Sequence, residues 1–265
     1  MLQLTSGRLI FGITRWLIEK LIELFFTRIQ LIYCFTIREQ PGFLYILVVS
    51  LGSMSLFDDT SLFTTGTPRT IRYDLPDAEL TLYEGFFRKE DADRLYTTLL
   101  KDTNWQQDNI TVYNKTYPTP RLTAWYGDPQ TAYTFSGSKW EPYPWNPDLL
   151  LIKDKVATAT GASFNSVLLN LYRNGNDSVS WHRDNEEELG HDPVIASVSL
   201  GETRPFQVRH KFRKELAKVE IPLTHGSLLL MAGPMQHFWE HQVPKTAKPI
   251  HPRINLTFRF IHTRS

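Results

Sequence analysis

Cysteine is almost absent from this chain. The 265 residues include one cysteine, Cys34. A disulfide framework and a cysteine-based zinc site are therefore both excluded. A sequence without thiols after Cys34 is typical of a reducing compartment. We therefore expect an intracellular protein, located in the cytoplasm if the source is bacterial and in the nucleus if it is eukaryotic.

An excess of charge of one sign is also lacking. The 29 Lys and Arg residues nearly balance the 28 Asp and Glu residues, and the formal net charge is +1. The chain is therefore not a polycation, and any binding to nucleic acid must come from local patches. The densest positive patch is 209–214, with Lys245 and Lys248 as further candidates, although a basic hairpin is also common as a solvated loop.

Long uninterrupted hydrophobic runs are missing as well. The apolar centre of the longest charge-free segment, 43–51, is too short to span a bilayer comfortably. Because the start shows no n-region, h-region and cleavage-site series, we expect no secretory signal. Three alternatives remain for the apolar residues 1–53: a membrane-associated helix, a targeting peptide, or sequence upstream of a start at Met54. We favour the third, because globular composition begins at Met54, and we expect no stable membrane partner.

The remaining sequence predicts an N-terminal arm over 54–82 and one domain over 83–265. Apolar residues at helical spacing predict a helix around 92–100, and Pro147 and Gly161 predict the limits of a second helix. From residue 165 onward, short alternating segments separated by turns predict strands at 167–172, 194–200, 206–210, 227–232 and 254–261. This order indicates an α+β, mainly β fold, in which helices flank a β-sandwich or jelly roll.

The segment Trp181-His182-Arg183-Asp184 contains a candidate metal site. In a strand, His182 and Asp184 lie on the same face. A His-x-Asp pair and one distant His form the ligand set of a facial-triad Fe(II) oxygenase. Both His237 and His241 are candidates for the third ligand, and we prefer His241 because His237 adjoins a Gly-Pro turn. The other histidines, at 191, 210, 225, 251 and 262, have no partner residue at the sequence spacing of a metal site. We therefore expect surface or structural roles for them.

A row of donors follows in the strand that begins at Arg253. One face of this strand presents polar side chains, which are Arg253, Asn255, Thr257 and Arg259. The opposite face presents Ile254, Leu256, Phe258 and Phe260. A guanidinium binds a carboxylate through two parallel hydrogen bonds. Because Arg253 and Arg259 are about 20 Å apart at about 3.3 Å per residue, we expect them at opposite ends of a bound dicarboxylate, with Asn170 and Tyr172 completing its pocket.

These segments resemble the AlkB family of Fe(II)/2-oxoglutarate-dependent dioxygenases, and within it the homologues that repair alkylated duplex DNA. The resemblance covers 83–259 and is most specific at 170–172, 182–184, 196–201 and 253–259. It implies a double-stranded β-helix, or jelly roll, flanked by N-terminal helices and a nucleotide-recognition lid. It implies iron ligation by His182, Asp184 and His241. It also implies 2-oxoglutarate binding by Asn170, Tyr172, Arg253, Asn255 and Arg259.

The resemblance also implies a set of substrate contacts. Tyr133 and Phe135 match lid aromatics that hold an everted base, with the His182 ring on its other face. Glu186 matches an acidic residue that orients the base. Tyr113 stands where duplex-acting relatives place an aromatic wedge, and we would expect Phe there. Apart from the resemblance, Arg121 is a further candidate for the positive patch, and we expect it to contact the DNA. Each aromatic also fits ordinary core or lid packing.

The activity implied by the resemblance is oxidative demethylation of N-alkylated bases such as 1-methyladenine and 3-methylcytosine. It consumes O₂ and converts 2-oxoglutarate to succinate and CO₂, with release of formaldehyde. The expected partner of this monomer is alkylated DNA, single- or double-stranded. One alternative is the same chemistry on RNA or on a substrate that is not a nucleic acid. Another is a non-catalytic nucleic-acid-binding jelly roll, which the complete ligand and arginine set argues against.

Overall fold

The computed structural model describes residues 32–37, 45–50, 63–112, 115–129, 131, 133–135 and 138–262. Its contacts divide the chain into two units, 1–61 and 62–265. In the first unit, β1 (Ile32–Ile37) pairs antiparallel with β2 (Tyr45–Ser50). Most of the apolar segment considered above lies outside the described residues. Within the described part of the chain, no helix is long and apolar enough to cross a membrane.

The second unit contains two long helices, α1 (Lys89–Asp102) and α2 (Pro147–Thr160), and a short helix, α3 (Met235–Phe238). A 3₁₀ turn covers Glu187–Leu189. Its strands are β3 (Arg69–Tyr73), β4 (Glu79–Glu84), β5 (Asn109–Val112), β6 (Lys115–Pro118), β7 (Leu122–Gly127), β8 (Tyr133–Phe135), β9 (Ser138–Trp140), β10 (Ser166–Tyr172), β11 (Val179–His182), β12 (Ile195–Gly201), β13 (Arg204–His210), β14 (Val219–Leu223), β15 (Ser227–Ala232), β16 (Trp239–Val243) and β17 (Arg253–Arg259).

Helix α2 follows the start and stop signals in its sequence. The side chain of Asn146 accepts a hydrogen bond from the backbone N–H of Leu149, and Pro147 occupies the first turn, where no backbone donor is needed. The helix ends at Gly161, whose φ of 68° is left-handed and suits glycine. Because Leu149, Ile152 and Val156 recur at helical spacing, one face is buried.

Two antiparallel sheets form the body of the second unit. The larger sheet has the strand order β3-β4-β15-β12-β17-β10-β7, and the smaller has the order β11-β16-β13-β14. One apolar cluster joins the two sheets, with residues such as Leu229 from the larger and Val208 from the smaller. A second cluster joins the larger sheet to α1 and α2. This arrangement is the jelly roll with flanking helices that the sequence predicts.

Strand β17 positions the polar residues of the site. All seven of its residues are buried, because the strand lies between β10 and β12 in the larger sheet. Its apolar side chains, Ile254, Leu256 and Phe258, belong to the cluster that faces the helices. The alternation of a strand therefore directs the side chains of Arg253, Asn255, Thr257 and Arg259 to the opposite face, between the two sheets.

The border of the jelly roll differs from the sequence prediction, which placed it at residue 83. Strand β4 pairs with β15, and β3 pairs with β4, so residues from Arg69 onward belong to the larger sheet. The pairing partner of β4 lies far along the chain, at Ser227–Ala232, and the local sequence pattern does not reveal it.

Two small hairpins stand where the sequence predicts the lid and the wedge. Strands β8 and β9 pair with Phe135 opposite Ser138, and β5 pairs with β6. The predicted lid residues Tyr133 and Phe135 therefore lie on a hairpin strand. The side chains of these two residues, and the whole of Tyr113, lie outside what the structure describes.

Candidate active site

A cavity of about 310 Å³ lies between the two sheets. Its walls come from β10 and β17 of the larger sheet and from β11 and β16 of the smaller sheet. The structure brings most of the residues predicted for the site to this cavity. They are His182, Asp184, His241, Asn170, Tyr172, Arg253, Asn255, Arg259, Glu186 and Arg121.

The three predicted iron ligands meet at one end of the cavity. Their ligand atoms all lie within 4.8 Å of one another. The register of the smaller sheet explains this proximity, because His182 at the end of β11 stands directly opposite His241 on β16. The Nε2 atom of His182 is 3.8 Å from Oδ1 of Asp184. The alternative ligand His237 lies outside this group and belongs to a separate cluster.

A hydrogen bond sets the tautomer of His182. Its Nδ1 atom lies 2.8 Å from the carbonyl oxygen of Ser180. Because a carbonyl only accepts, Nδ1 must be the protonated nitrogen, and Nε2 retains its lone pair. Such a bond to the second ring nitrogen is the usual support of a metal-binding histidine.

His241 is held in the neutral form. Its side chain is buried, and the Phe206 ring stacks on it with centroids 5.2 Å apart. Burial, with a smaller effect of the nearby His182, lowers the pKa of His241 to about 3. The Nδ1 atom of His241 has no hydrogen-bond partner in the described part of the chain. A neutral imidazole is the form that binds a metal.

Asp184 is held in the ionised form. It is 4% exposed, and burial alone would raise the pKa of its carboxyl group. The charge and hydrogen bond of Arg259, together with the nearby His241 and His182, outweigh this effect and hold the pKa well below its usual range. The Nη2 atom of Arg259 lies 2.8 Å from Oδ2 of Asp184, and the backbone N–H of Asp184 donates to Oε1 of Gln236 at 3.0 Å.

These groups fit an Fe(II) ion. Two imidazoles and one ionised carboxylate form a facial set that leaves positions open for a co-substrate and O₂. The unpartnered Nδ1 of buried His241 and the fixed tautomer of His182 are the states that ligation requires. His182, Asp184 and His241 are therefore the residues that would hold the iron.

The low pKa of His241 predicts a specific acid sensitivity of the metal-free protein. Because the folded pKa lies below the unfolded value of about 6.5, the unfolded chain binds the proton first as the pH falls. The free energy of unfolding should therefore decrease below about pH 6.5, by up to about 1.4 kcal/mol per pH unit from this residue. Urea unfolding at several pH values between neutrality and pH 5 measures the slope.

His241→Gln should remove this part of the slope, since its side chain does not titrate. His251→Gln is the matched control, because it removes an exposed histidine and should leave the slope as it is. Equal slopes for the wild-type protein and His241→Gln would contradict a buried neutral imidazole.

Arg253 lies deeper in the cavity and lacks an anion partner among the described residues. Its side chain is 1% exposed, and Nη2 donates to Oγ of Ser199 at 2.8 Å. Its Nε and Nη1 atoms have no hydrogen-bond partner in the described part of the chain. Burial lowers the pKa of Arg253 to about 10, so the group remains charged at neutral pH. Two unpaired donors on a buried cation fit the carboxylate of a bound acid.

Aromatic and cationic contacts surround this guanidinium. The Tyr172 ring lies between two arginines, with its centroid 5.3 Å from Cζ of Arg253 and 5.6 Å from Cζ of Arg204. Arg204 itself donates to the carbonyl oxygens of Asp177 and Pro244, at 3.0 and 2.6 Å. Two guanidinium groups therefore lie close to the Tyr172 ring.

A polar network fills the space between the two arginines of β17. Asn255 donates to Oγ of Ser197 at 2.6 Å, and Thr257 donates to Oδ1 of Asn255 at 2.9 Å. On β10, Asn170 stands opposite Asn255 in the register and accepts a hydrogen bond from Nε of Arg121 at 2.7 Å. Arg121, which the sequence suggested as a DNA contact, thus braces the cavity wall.

The two arginines of β17 differ in their partners. From the sequence we expected Arg253 at one end of a bound dicarboxylate and Arg259 at the other. In the structure Arg259 forms an ion pair with the iron ligand Asp184. The sequence pattern gave no role to several residues that support the site, namely Gln236, Arg204 and the Ser180 carbonyl group, and it gave none to Ser197 and Ser199 beyond their place in the specific segment 196–201. The alternating serines of β12 were the one available signal, since both face the buried polar side of β17.

Comparisons with known proteins agree with this geometry. The sequence profile of the 2OG-Fe(II) oxygenase superfamily matches residues 79–259. Alpha-ketoglutarate-dependent dioxygenase alkB homolog 3 from Bos taurus is 45% identical over 193 residues, which cover 70% of this chain and 67% of that protein. DNA oxidative demethylase ALKBH2 from Homo sapiens is 42% identical over 188 residues, covering 68% of this chain and 72% of that protein.

A solved structure, that of OsALKBH1, superimposes with a TM-score of 0.50 at 20% identity and covers 71% of this chain and all of the compared chain. This likeness supports the jelly-roll fold. Taken with the two ligand-bearing strands and the buried arginine, the profile and the two relatives establish the family. The chain belongs to the 2OG-Fe(II) oxygenase superfamily, as an AlkB homologue that uses Fe(II), 2-oxoglutarate and O₂.

Proposed function

We propose that this protein demethylates N-alkylated bases in DNA by oxidation. The observation that carries the proposal is the carboxylate of Glu186. It lines the same cavity as the three iron ligands, and its Oε2 atom is buried without a hydrogen-bond partner in the described part of the chain. A buried carboxylate oxygen requires a donor or a cation. Methylation at N1 of adenine or N3 of cytosine gives a cationic base with an exocyclic amino group, which supplies both.

The relatives support the choice of DNA. The human relative is a DNA oxidative demethylase by name, and it is 42% identical to this chain over 188 residues. A base inside a duplex must be extruded to reach such a cavity, at an unstacking cost of a few kcal/mol. Aromatic stacking returns about 1–3 kcal/mol per base. The half-exposed His182 ring provides one stacking face at the iron end of the cavity.

The loop between β13 and β14 offers a surface for the nucleic-acid backbone. Phe212 is 61% exposed, and the ammonium group of Lys211 lies 5.2 Å from the centre of its ring. Arg209 on β13 stacks over Trp181 at 4.2 Å and pairs with Glu240. An exposed aromatic ring can stack on a base, and the neighbouring cations can bind phosphates. Neither interaction selects a particular base.

Iron held by His182, Asp184 and His241 would supply the oxidation of the N-methyl carbon by O₂, coupled to conversion of 2-oxoglutarate to succinate and CO₂, and loss of formaldehyde would restore the base. The chain contributes position and charge. Arg253 binds a carboxylate of the co-substrate, and Arg259 keeps Asp184 ionised and oriented. Glu186 orients the cationic base through its amino group.

Repair of methylated oligonucleotides tests the proposed function. Purified protein with Fe(II), 2-oxoglutarate and O₂ should restore the unmodified mass of DNA that contains 1-methyladenine or 3-methylcytosine, and should produce succinate. Matched single-stranded and duplex DNA and RNA identify the preferred polymer. Turnover of RNA alone would assign the same chemistry to RNA, and an absence of repair on all of them would overturn the proposal.

Glu186→Gln should lower kcat/KM for a 1-methyladenine oligonucleotide by about tenfold to a hundredfold, because a charge-assisted hydrogen bond contributes about 1.5–3 kcal/mol. The KM for 2-oxoglutarate and the iron content should not change. Glu187→Gln is the matched control. The carboxylate of Glu187 is next to Glu186 in the sequence, but it is exposed and does not line the cavity. Equal kcat/KM for Glu186→Gln and the wild-type protein would show that Glu186 does not bind the substrate.

A further inference from the structure

A second group of potential ligands lies outside the catalytic cavity. His191, Asp192 and His237 bring their ligand atoms within 4.8 Å of one another. Nε2 of His237 is 3.0 Å from Oδ1 of Asp192, and Nδ1 of His191 is 3.1 Å from Oδ2. The expectation that His191 lacks a partner at ligand spacing is therefore wrong. Helix α3 brings His237 to the loop before β12, which sequence spacing does not reveal.

We propose that His191, Asp192 and His237 form a second metal site, separate from the iron site, for a divalent transition metal of the Zn²⁺ type. Two imidazoles and one carboxylate are a set that zinc favours, and three protein ligands leave the fourth position to water. Around a tetrahedral zinc ion with bonds of about 2.0 Å, ligand atoms are about 3.3 Å apart. The 3.0 Å between Nε2 of His237 and Oδ1 of Asp192 is close to this value, and the 3.1 Å contact of His191 is with the other carboxylate oxygen, Oδ2.

His237 supplies an independent indication of a ligand. Its Nε2 atom is buried and has no hydrogen bond within the described residues, although Asp192 lies nearby. The two atoms are close enough for a hydrogen bond but are not aligned for one. A buried ring nitrogen without a partner is unfavourable. A shared metal ion would satisfy this nitrogen and the carboxylate together.

The cluster is open to solvent on the other side. The side chain of His191 is 86% exposed, and that of Asp192 is 43% exposed. A metal ion can therefore enter without opening the fold. The two imidazole rings face the same region, with centroids 4.6 Å apart. The competing explanation is a hydrogen-bonded pair of imidazoles on one carboxylate, with no metal.

The backbone links this second site to the iron site. Nη1 of Arg183 donates to the carbonyl oxygens of Gln236 and His237, at 3.3 and 3.1 Å. The side chain of Gln236 in turn accepts from the N–H of the iron ligand Asp184. A metal held by His191 and His237 would join the loop that follows Asp184 to α3. It would thus stabilise the segment that positions this carboxylate, whatever the substrate.

Metal counting on the iron-loaded enzyme tests the proposal. Protein loaded with Fe(II) and 2-oxoglutarate without oxygen is dialysed against Zn²⁺, and both metals are measured by elemental analysis. The wild-type protein should retain its iron and gain a zinc ion. The His191→Asn/His237→Asn double variant should retain iron and gain none. His251→Asn, which removes an exposed histidine elsewhere, should behave as the wild-type protein does.

Thermal unfolding gives a second measurement. Zn²⁺ should raise the Tm of the iron-loaded wild-type protein and leave that of His191→Asn unchanged, because a ligand stabilises only a fold that binds it. His191 is exposed, so this single variant is expected to fold normally. The proposal is overturned if zinc binds only in place of iron, if the wild-type protein gains none, or if the double variant still binds it.

Discussion

Replacing Arg253 with Met is expected to lower kcat/KM for 2-oxoglutarate by about 100-fold or more, because removing one member of a buried charge pair costs about 2–5 kcal/mol. The guanidinium is buried, and two of its donors lack a hydrogen-bond partner among the described residues. The carboxylate that completes the pair must therefore come from a ligand. Steady-state kinetics at varied 2-oxoglutarate measure the effect.

The metal-free protein should respond to the same substitution in a different way. Without a ligand, the partners of the buried Arg253 charge among the described residues are the hydroxyl group of Ser199 and the Tyr172 ring. Because a buried charge without an anion is unfavourable, Arg253→Met should change the free energy of unfolding by less than about 1 kcal/mol. A large loss of co-substrate affinity with little loss of stability identifies a binding group.

Two further variants make this result specific. Arg253→Lys keeps the charge but not the planar fork, so it should recover only part of the affinity. Arg209→Met removes a half-exposed arginine that pairs with Glu240, and the KM for 2-oxoglutarate should not change. If Arg253→Met had the wild-type KM for 2-oxoglutarate, the co-substrate would have to bind elsewhere in the cavity.

The local pattern of the sequence predicted much of the fold. The limits of α2 follow from Asn146, Pro147 and Gly161, whose effects act within one turn of the helix. The two faces of β17 follow from strict alternation, and burial of the whole strand agrees with it. Such features depend on neighbours in the chain, and a single sequence contains that information.

The partners of the site residues were not predictable in this way. Asp184 and Arg259 are 75 residues apart in the chain, and only the packing of the two sheets brings them together. The same holds for His237, which α3 places beside Asp192 and away from the iron ligands. Spacing indicated which residue types the chemistry needs. It did not determine which charged groups contact one another across the cavity.

Arg259→Met is expected to destabilise the metal-free protein by about 3–5 kcal/mol, because it leaves the Asp184 carboxylate buried without its counter-charge. The two side chains are 9% and 6% exposed and lie 2.8 Å apart. For a unit of this size, the Tm should fall by roughly 6–20 °C. Calorimetry and urea unfolding measure these changes.

The pH dependence of iron binding should change as well. In the wild-type protein the pKa of Asp184 lies well below its usual range, so its ionised state contributes stability above about pH 4 that is lost as the pH falls further. Without Arg259, burial becomes the dominant effect and raises the pKa. Arg259→Met should therefore release iron at a higher pH than the wild-type protein does.

A double-mutant cycle separates the charge pair from simple loss of packing. Arg259→Met/Asp184→Asn removes both charges and should be more stable than Arg259→Met alone, with a coupling energy of about 1–3 kcal/mol. Arg94→Met breaks an ion pair with Asp148 that is 50% and 21% exposed, so it should cost at most about 1 kcal/mol. Absence of coupling between Arg259 and Asp184 would mean that the carboxylate does not need this arginine. Arg259 would then be available to the second carboxylate of the co-substrate, as the spacing along β17 first suggested.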